Sequence, residues 1–520
     1  MKLLSFFIII KVTFVADCAN ILYLSNVASP SHFIWCKSIL NALHENGHNV
    51  TALSGDVEKS KPNLTYLHLD KMYSEIYNGT MDIDFFEYGK LSPTGLFKLY
   101  AEISEKSCVG ATKSKGYKEL LNYPSNFKFD AVIIDFTMGP CMYSFVDKFK
   151  YPPLISVSPY FDLARLARTS SGLIYPAFVP GHDLLMTQRM NFIQRLESSI
   201  THAIGIIAFK YYIVPTNDKI ARKYQPEIPY LEDIERRTGF YLINNSPLVD
   251  YKEPIYSNVK LVGGVQIKES KPLPYELKAI ADNATNGLIL FSLGTNVRSD
   301  KLGSERISKI LRVFKRHSKF TFLWKFETSE LLKNIPQNVK IQPWMPQNDI
   351  LAHPNTKLFM AHCGLLGVQE AVWHGVPILG FPVFGDQHQN CFRLKDLGVS
   401  EKLSILDFTE EELYNAIKNM IQNPKYMKKI KSISSATRDR QQTPLEEAVY
   451  WIEWYIRHPE VDLQGPGLEM NIFVRHSFDV FAFVFIIAFI IFYWKIKLFW
   501  AFIKYFCLSK KSVDEKQKKN

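Results

Sequence analysis

Short apolar runs alternate with helical patterns along most of the chain. In the first half the pattern predicts strands at residues 21–27, 48–53, 131–135 and 154–157, and helices at 31–46 and 143–149. This alternation of strand and helix is typical of a parallel sheet. Two less regular stretches, about 60–125 and 160–235, are rich in aromatic residues and methionine. They either build the wall of a ligand site or add helices that cover the sheet.

The second half repeats this alternation. It predicts strands at 287–293, 320–325, 339–341, 357–361 and 376–380, and helices at 305–316, 409–421 and 445–457. The polar, proline-bearing stretch 244–257 is the expected boundary. The predicted fold class is therefore α/β, with two facing Rossmann-like domains over residues 19–245 and 246–458. A GxGxxG motif with an acidic residue downstream does not occur, so the sequence gives no support to a nicotinamide enzyme.

The first residues are typical of a signal peptide, residues 1–18. Lys2 precedes the apolar run 3–10, and cleavage after Cys18 would leave Ala16 and Cys18 at the two positions that require small residues. The alternative is a buried first strand, but a better strand follows at once, at residues 21–27. The sequence therefore predicts that the mature chain begins near residue 19.

A second apolar block, with no charge from Val480 to Trp494, predicts a transmembrane helix at residues 477–497, after a juxtamembrane stretch 459–476. The alternative, a buried C-terminal helix, is disfavoured by the lysines beside it. Residues 495–520 hold eight lysines and two acids, which supplies +6 of the net +11. The rest of the chain is only mildly basic, so nucleic acid is not an expected partner. The basic tail 498–520 indicates a cytosolic C-terminus and a luminal body.

The localisation that follows is a single-pass type I protein of the endoplasmic reticulum membrane. Lys516 and Lys518, at the fifth and third places from the end, resemble a dilysine retrieval signal, although a random basic tail could imitate it. Seven cysteines without CxxC spacing indicate neither a disulfide framework nor a zinc site. Sequons occur at Asn49, Asn63, Asn78, Asn244 and Asn283, although Asn49 begins a predicted strand and Asn244 is followed by Ser-Pro.

Residues suited to a nucleotide follow the strands of the second half. His362 and Gly364 open a helix, where free backbone N–H groups favour a phosphate. Glu370, two helical turns on, could accept hydrogen bonds from ribose hydroxyls. Trp344 offers a face for a base, and Gln347 has the donor and acceptor that a uracil edge needs. Taken singly, such a Trp is usually core and such a Glu is usually solvated, so it is their spacing together that indicates a site.

The segment from WMPQ to GDQ resembles the signature of the UDP-glycosyltransferases, an inverting, metal-independent family with two facing Rossmann-like domains (GT-B type). Arthropod members combine a signal peptide, LLGxQE, GDQ and a C-terminal membrane helix, and the resemblance covers essentially the whole chain. Leu366 stands where plant and vertebrate members often have Asn, which removes one polar contact near phosphate and sugar. The resemblance implies no metal or other cofactor, the UDP-sugar being a co-substrate. The residues that it assigns to the UDP-sugar are Gly294, Thr295, Trp344, Gln347, His362, Gly364, Glu370, Asp386 and Gln387.

A separate pair suits the chemistry. His32 follows the first strand and opens the first helix, and Asp135 ends the strand FDAVIID. By position alone, His32 could cap the helix and Asp135 could be an ordinary strand-end acid. The resemblance implies that His32 is the general base for an acceptor hydroxyl and that Asp135 orients it.

The predicted function is inverting transfer of a hexose, with glucose preferred over glucuronic acid, from a UDP-sugar to a hydroxyl of a small lipophilic acceptor, as in detoxification. The alternative is a UDP-sugar or lipophilic-ligand binding protein that has lost catalysis, which would predict damage at the base or the sugar contacts. A single span disfavours a transporter. Homo-oligomerisation is left open.

Overall fold

Two parallel sheets make up the larger of two compact units in this computed structural model. The larger unit extends to Gln464 apart from Ser171–Leu173, and the smaller one comprises Ser171–Leu173 and the chain from Gly465 onward. The structure describes residues 18–77, 91, 93–124, 126–160, 163–181, 184–328, 332 and 334–517. The predicted signal peptide lies outside these residues except for Cys18. The sequon at Asn78 and Lys518 of the predicted retrieval signal also lie outside them.

The first sheet has the strand order β3-β2-β1-β4-β5-β6-β7, and the second has β10-β9-β8-β11-β12-β13. Every neighbouring pair is parallel, as the sequence predicts. The strands are β1 Asn20–Leu24, β2 Asn49–Ser54, β3 Leu64–His68, β4 Ala131–Asp135, β5 Leu154–Ser158, β6 Phe240–Ile243, β7 Val259–Leu261, β8 Leu288–Ser292, β9 Thr321–Lys325, β10 Val339–Gln342, β11 Thr356–Ala361, β12 Ile378–Gly380 and β13 Ser400–Lys402.

Helices connect these strands across both faces of each sheet. The α-helices among the described residues are α1 Pro30–Glu45, α2 Met72–Ile76, α3 Pro93–Lys113, α4 Lys115–Leu121, α5 Ser144–Lys148, α6 Leu163–Ser170, α7 Phe192–Ala208, α8 Val214–Ala221, α9 Leu231–Glu235, α10 Tyr275–Asn283, α11 Ser304–Arg316, α12 Gln347–Ala352, α13 Leu365–His374, α14 Gln387–Asp396, α15 Glu410–Gln422, α16 Pro424–Arg438, α17 Pro444–Arg457, α18 Ile472–Arg475 and α19 Phe478–Gln517.

Each sheet is buried on both faces, which explains why its strands are continuous apolar runs. In β4, Val132 and Ile134 point into one hydrophobic cluster and Ile133 into the cluster on the opposite face. Strand β8 divides in the same way, with Phe291 on one side and Leu290 on the other. Loops that leave the strand ends are consequently free to carry polar groups.

Two segments of the predicted second domain, 246–458, belong instead to the layers of the first sheet. Strand β7 pairs with β6 beyond the expected boundary 244–257. Helix α17 packs Ala448, Val449 and Ile452 into the cluster beneath β1 and β4. The boundary at residue 245 therefore does not follow the sheets. A three-residue strand and a late amphipathic helix carry no local signal of the sheet on which they pack.

A disulfide joins Cys108, in α3, to Cys141, in the turn Pro140–Tyr143 that follows β4. The sequence predicts no disulfide framework, and this single bond has no local signal, since the two cysteines are 33 residues apart without a recognisable spacing. Cys36, Cys363 and Cys391 are buried free thiols.

The smaller unit contains a helix that is long and apolar enough to cross a membrane. Within α19, the stretch Phe478–Tyr505 meets these requirements of length and composition. It includes the predicted span 477–497 apart from its first residue, so an apolar helix is confirmed there, and that this helix crosses a membrane stays a prediction.

Candidate active site

His32 and Asp135 come together at the carboxyl end of the first sheet. Strands β1 and β4 are neighbours, and the order of the strands reverses between them, so the loops that follow them diverge and leave a crevice. His32 lies in the first turn of α1, after β1, and Asp135 is the last residue of β4. The His32 Nδ1 atom lies 3.2 Å from Asp135 Oδ2, and their side chains are 17% and 0% exposed.

Thr137 fixes the orientation of the Asp135 carboxylate. Its backbone N–H and its hydroxyl donate to Asp135 Oδ1 over 3.0 and 2.7 Å. Asp135 Oδ2 is left to accept the Nδ1–H of His32, which gives Nε2 a lone pair. The arrangement is that of a base with an orienting acid. Sequence reasoning missed Thr137, although a threonine two residues beyond a strand-end aspartate is a recognisable signal of such bonding.

An apolar cavity of about 160 Å³ has in its wall Thr137, the residue that binds the Asp135 carboxylate. Side chains from α3 and from the segment 201–213 also line it. The two irregular stretches of the sequence therefore do form the wall of a cavity. Its large apolar lining residues are Phe97, Tyr100, Ile206, Phe209 and Ile213. The sequence analysis did not identify any of these five as a candidate site residue.

A second crevice opens in the other sheet, between β8 and β11, where the strand order again reverses. Gly294 follows β8, and His362 and Gly364 follow β11. A Cβ atom at Gly294 would lie 2.4 Å from His362 Cε1, and one at Gly364 would lie 2.4 Å from His362 Nε2. Gly294 also has a φ of +84°. Only glycine fits at both positions, so the imidazole is held between two backbone segments.

His362 is neutral at physiological pH. Burial, reinforced by the charge of Lys325, lowers its pKa to about 4. Its Nδ1 atom is buried and has no hydrogen-bond partner among the described residues. Gly364 is the N-cap residue of α13 and has no side chain to cap the helix. The first N–H groups of α13 are therefore available, and they lie next to the imidazole. Together they form a set of donors suited to an anion.

Glu370 and Gln347 are joined by a hydrogen bond. Gln347 Nε2 donates to Glu370 Oε2 over 2.6 Å, and burial raises the pKa of Glu370 to about 7. Trp344, three residues before Gln347, is 70% exposed. An indole left in water despite its large apolar area is a face on which a base could stack.

The turn after β12 carries Asp386 and Gln387. The Gln387 side chain is buried, and its Oε1 accepts from the N–H groups of Val383 and Phe384 over 2.9 and 3.2 Å. Of the Gln387 side chain, only the NH₂ group (Nε2) is left to donate to a ligand. Asp386 Oδ2 accepts from Asn390 Nδ2 over 2.6 Å. The turn is therefore rigidly held by its own side chains.

This turn reaches the first sheet's half of the molecule. A Cβ atom on Gly385 would lie 3.7 Å from the hydroxyl of Tyr100, a residue of the apolar cavity. Gln389 donates to the carbonyls of Gly181 and Leu184 over 3.3 and 3.2 Å. Leu366 packs against the core of the first sheet. Thr295 is exposed just after Gly294. Within the residues that the structure describes, groups of three or more side chains suited to a metal do not occur.

Comparison with known proteins gives consistent results. The family model described as "UDP-glucoronosyl and UDP-glucosyl transferase" matches residues 21–513. The chain is 31% identical over 504 residues to UDP-glycosyltransferase UGT5 of Dactylopius coccus, with 95% of this chain and 94% of that protein covered. It is 26% identical over 492 residues to UDP-glucuronosyltransferase 2B7 of Homo sapiens, with 90% of each covered. The crystal structure of CalG4, the calicheamicin glycosyltransferase, matches with a TM-score of 0.55 at 16% identity, covering 85% of this chain and 99% of that one. This last likeness confirms the predicted fold class.

Proposed function

Because the chain belongs to the UDP-glycosyltransferase family, we propose that it transfers a hexose from a UDP-sugar, with inversion, to a hydroxyl of a small lipophilic acceptor. The observation that carries the proposal is the His32–Asp135 pair, held by Thr137 at the edge of the apolar cavity. The cavity suits an apolar acceptor, and a base beside it suits a nucleophilic hydroxyl.

In the proposed reaction, His32 Nε2 takes the proton of the acceptor hydroxyl. The oxygen attacks the anomeric carbon from the face opposite UDP, so a new carbon–oxygen bond forms as the bond to the diphosphate breaks. Asp135 stabilises the imidazolium that results and keeps its Nδ1–H in place. The configuration at the anomeric carbon inverts because the oxygen and the leaving group are on opposite faces.

The second crevice would hold the donor. Trp344 would stack on uracil and Gln347 would pair with it, while Glu370 accepts from the ribose hydroxyls. Gln347 already donates to Glu370, so the two side chains that would bind the nucleotide are held together before it binds. Asp386 and the Gln387 amide would contact the sugar.

The departing UDP is an anion, and the group that we propose to stabilise it is the N-terminus of α13 with the backbone at Gly294 and Thr295. His362 would contribute an N–H rather than a charge, because its pKa of about 4 keeps it neutral. We propose that no metal takes part, since oriented N–H groups can stabilise a developing anion by themselves.

We propose that the body of the chain lies in the lumen of the endoplasmic reticulum, with α19 as a single span. The Cys108–Cys141 disulfide supports an oxidising compartment. The sequons at Asn63 and Asn283 are exposed, as glycan acceptors must be, whereas Asn49 begins β2 and donates to Asn20. A conjugating, detoxifying role and glucose as the sugar are part of the same proposal.

The test is transfer by membranes that contain the full chain. Radiolabelled UDP-glucose and UDP-glucuronic acid are each offered with phenols, steroids and plant metabolites. We expect labelled conjugates from UDP-glucose that disappear in the His32→Ala variant, while that variant still binds UDP. Binding of UDP without transfer to any acceptor by the unaltered chain would favour the binding-protein alternative. Unchanged turnover in His32→Ala would exclude His32 as the base.

A further inference from the structure

Two free thiols lie next to each other beneath the second crevice. Cys363 is in the turn between β11 and α13, and Cys391 is on α14; both residues are 0% exposed. A Cβ atom on Gly380, the last residue of β12, would lie 2.5 Å from the sulfur of Cys363 and 2.1 Å from that of Cys391. Because a single point lies so close to both atoms, the two sulfurs are neighbours.

The pair of sulfurs explains why residue 380 is glycine. The backbone of Gly380 is not in the left-handed region, so its conformation alone does not require glycine. A side chain there would overlap both sulfurs, since ordinary van der Waals contact begins at 3.4 Å. The space beneath β12 is therefore filled by two thiols from distant parts of the chain, which a disulfide would join.

Both thiols are attached to the turns that would hold the donor. Cys363 stands between His362 and Gly364, and its carbonyl accepts from Asn390 Nδ2 over 3.0 Å. The same Asn390 Nδ2 donates to Asp386 Oδ2 over 2.6 Å, and the residue after Asn390 is the second cysteine. A bond between the two sulfurs would therefore displace the phosphate turn and the sugar turn together.

We infer that Cys363 and Cys391 form a dithiol site which oxidised glutathione, or another small disulfide, converts into an intramolecular disulfide that closes the crevice to UDP-sugars. The inference rests on the proposed donor site. One cysteine thiolate attacks a sulfur of oxidised glutathione and releases one glutathione, and the second thiolate attacks the mixed disulfide and releases the other. The two cysteines lose two electrons and two protons, which leave with the two molecules of reduced glutathione.

Bound donor would control this oxidation. Burial raises the pKa of the Cys363 thiol well above its ordinary value, so the thiolate is scarce while the turn stays in place. Oxidation requires the turn to open, and a nucleotide bound to the turn opposes that opening. UDP at about 100 times its Kd should slow disulfide formation about 100-fold, because only the ligand-free chain opens. The chain would then be oxidised when it holds no donor and protected while it does.

The test uses membranes that contain the full chain, incubated in glutathione buffers from fully reduced to fully oxidised, with and without UDP. Free thiols are blocked with N-ethylmaleimide, disulfide-linked peptides are mapped by mass spectrometry, and binding of radiolabelled UDP is measured on the same samples. We expect a peptide pair joined through Cys363 and Cys391 after oxidation, a loss of UDP affinity of at least about ten-fold, and reversal of both in reduced glutathione. Absence of this pair from fully oxidised samples, or unchanged UDP affinity in chains that contain it, would overturn the inference.

Cys391→Ala removes one partner, and Cys36→Ala is the matched control, a buried free thiol in the layers of the first sheet. Cys391→Ala should bind UDP equally well in reduced and oxidised buffers, whereas Cys36→Ala should lose affinity on oxidation as the wild type does. Loss of affinity in oxidised Cys391→Ala would assign the effect to another group and overturn the inference. A reduced wild-type chain that binds no UDP would refute the proposed donor site, and the peptide map would still decide whether the two cysteines pair.

Discussion

Replacing Glu370 with glutamine removes a carboxyl group that the fold makes costly to ionise. Burial raises its pKa from an ordinary 4.5 to about 7. At about 1.4 kcal/mol for each pH unit, ionisation in the folded chain costs up to about 3 kcal/mol, or about 2 kcal/mol when water at its exposed part screens the charge. The Gln347 amide can donate to glutamine as it does to the carboxylate, so the substitution changes charge more than packing.

The sign of the effect follows from proton binding. Between pH 4.5 and about 7 the unfolded chain binds fewer protons at this site than the folded chain, so wild-type stability falls as pH rises through that window. The Glu370→Gln variant has no carboxyl group to ionise at this site, so its stability does not fall in this way. We therefore expect Glu370→Gln to gain about 2 kcal/mol on the wild type between about pH 4.5 and pH 7, and the difference to stay level above that.

The measurement is the urea midpoint of the larger unit's unfolding, followed by tryptophan fluorescence at a series of pH values. Glu276→Gln, on the exposed face of α10, is the matched control, because water surrounds that carboxylate. A difference between Glu370→Gln and wild type that does not change with pH would refute the reasoning. A linked result is expected for the donor: wild-type affinity for UDP-glucose should fall on acidification below about pH 7, because protonation leaves the Glu370 carboxyl with fewer acceptor sites for the two ribose hydroxyls.

Four further predictions concern the same crevices. Trp344→Ala should leave stability within about 0.5 kcal/mol but weaken UDP binding by about 1–3 kcal/mol in calorimetry; unchanged affinity would exclude stacking. Gly294→Ala should lose UDP binding and destabilise more than Gly398→Ala, because both glycines have positive φ but only Gly294 would push a Cβ into His362; equal losses would show that the imidazole is not confined. Asp135→Asn should reduce transfer by about 10³-fold or more with UDP affinity unchanged, and near-normal rates would remove its orienting role. Treatment with a chelator should leave transfer intact, and its loss would reveal a metal requirement.

The strands that hold the site could be predicted because parallel strands are buried on both faces. Runs such as AVIID and LILFS carry that burial in their composition, and the polar residues just beyond them then fall at the carboxyl edge of a sheet. His32 and Asp135 can be brought together on this basis, since the pattern predicts the strands of both in the first half. Their hydrogen bond could not, because it depends on β1 and β4 being neighbours.

The features that escaped prediction depend on contacts between distant parts of the chain. Strands β6, β7 and β13 have only three or four residues, and β3 lies in a stretch without a regular alternation of strand and helix. Their pairing partners rather than their own residues decide that they are strands. Cys108 and Cys141 meet only because α3 folds over the turn after β4. The sequence predicts that Gln387 contacts the sugar, and its side-chain oxygen in addition closes the turn on which it lies, a local bond that sequence patterns do not reveal.

Helix α17 has a consequence for how the chain is made. Its residues complete the hydrophobic layer under β1, β4 and β6, with Tyr455 and Trp451 stacked on Phe240. Roughly 180 residues separate β7 from this helix, so at ~5–20 residues per second the ribosome needs about 10 to 35 s to supply it. For that interval the first half emerges with one apolar face uncovered. Cooperative folding of the first half must wait until synthesis is nearly finished. Until then the uncovered apolar face is a surface to which a chaperone can bind.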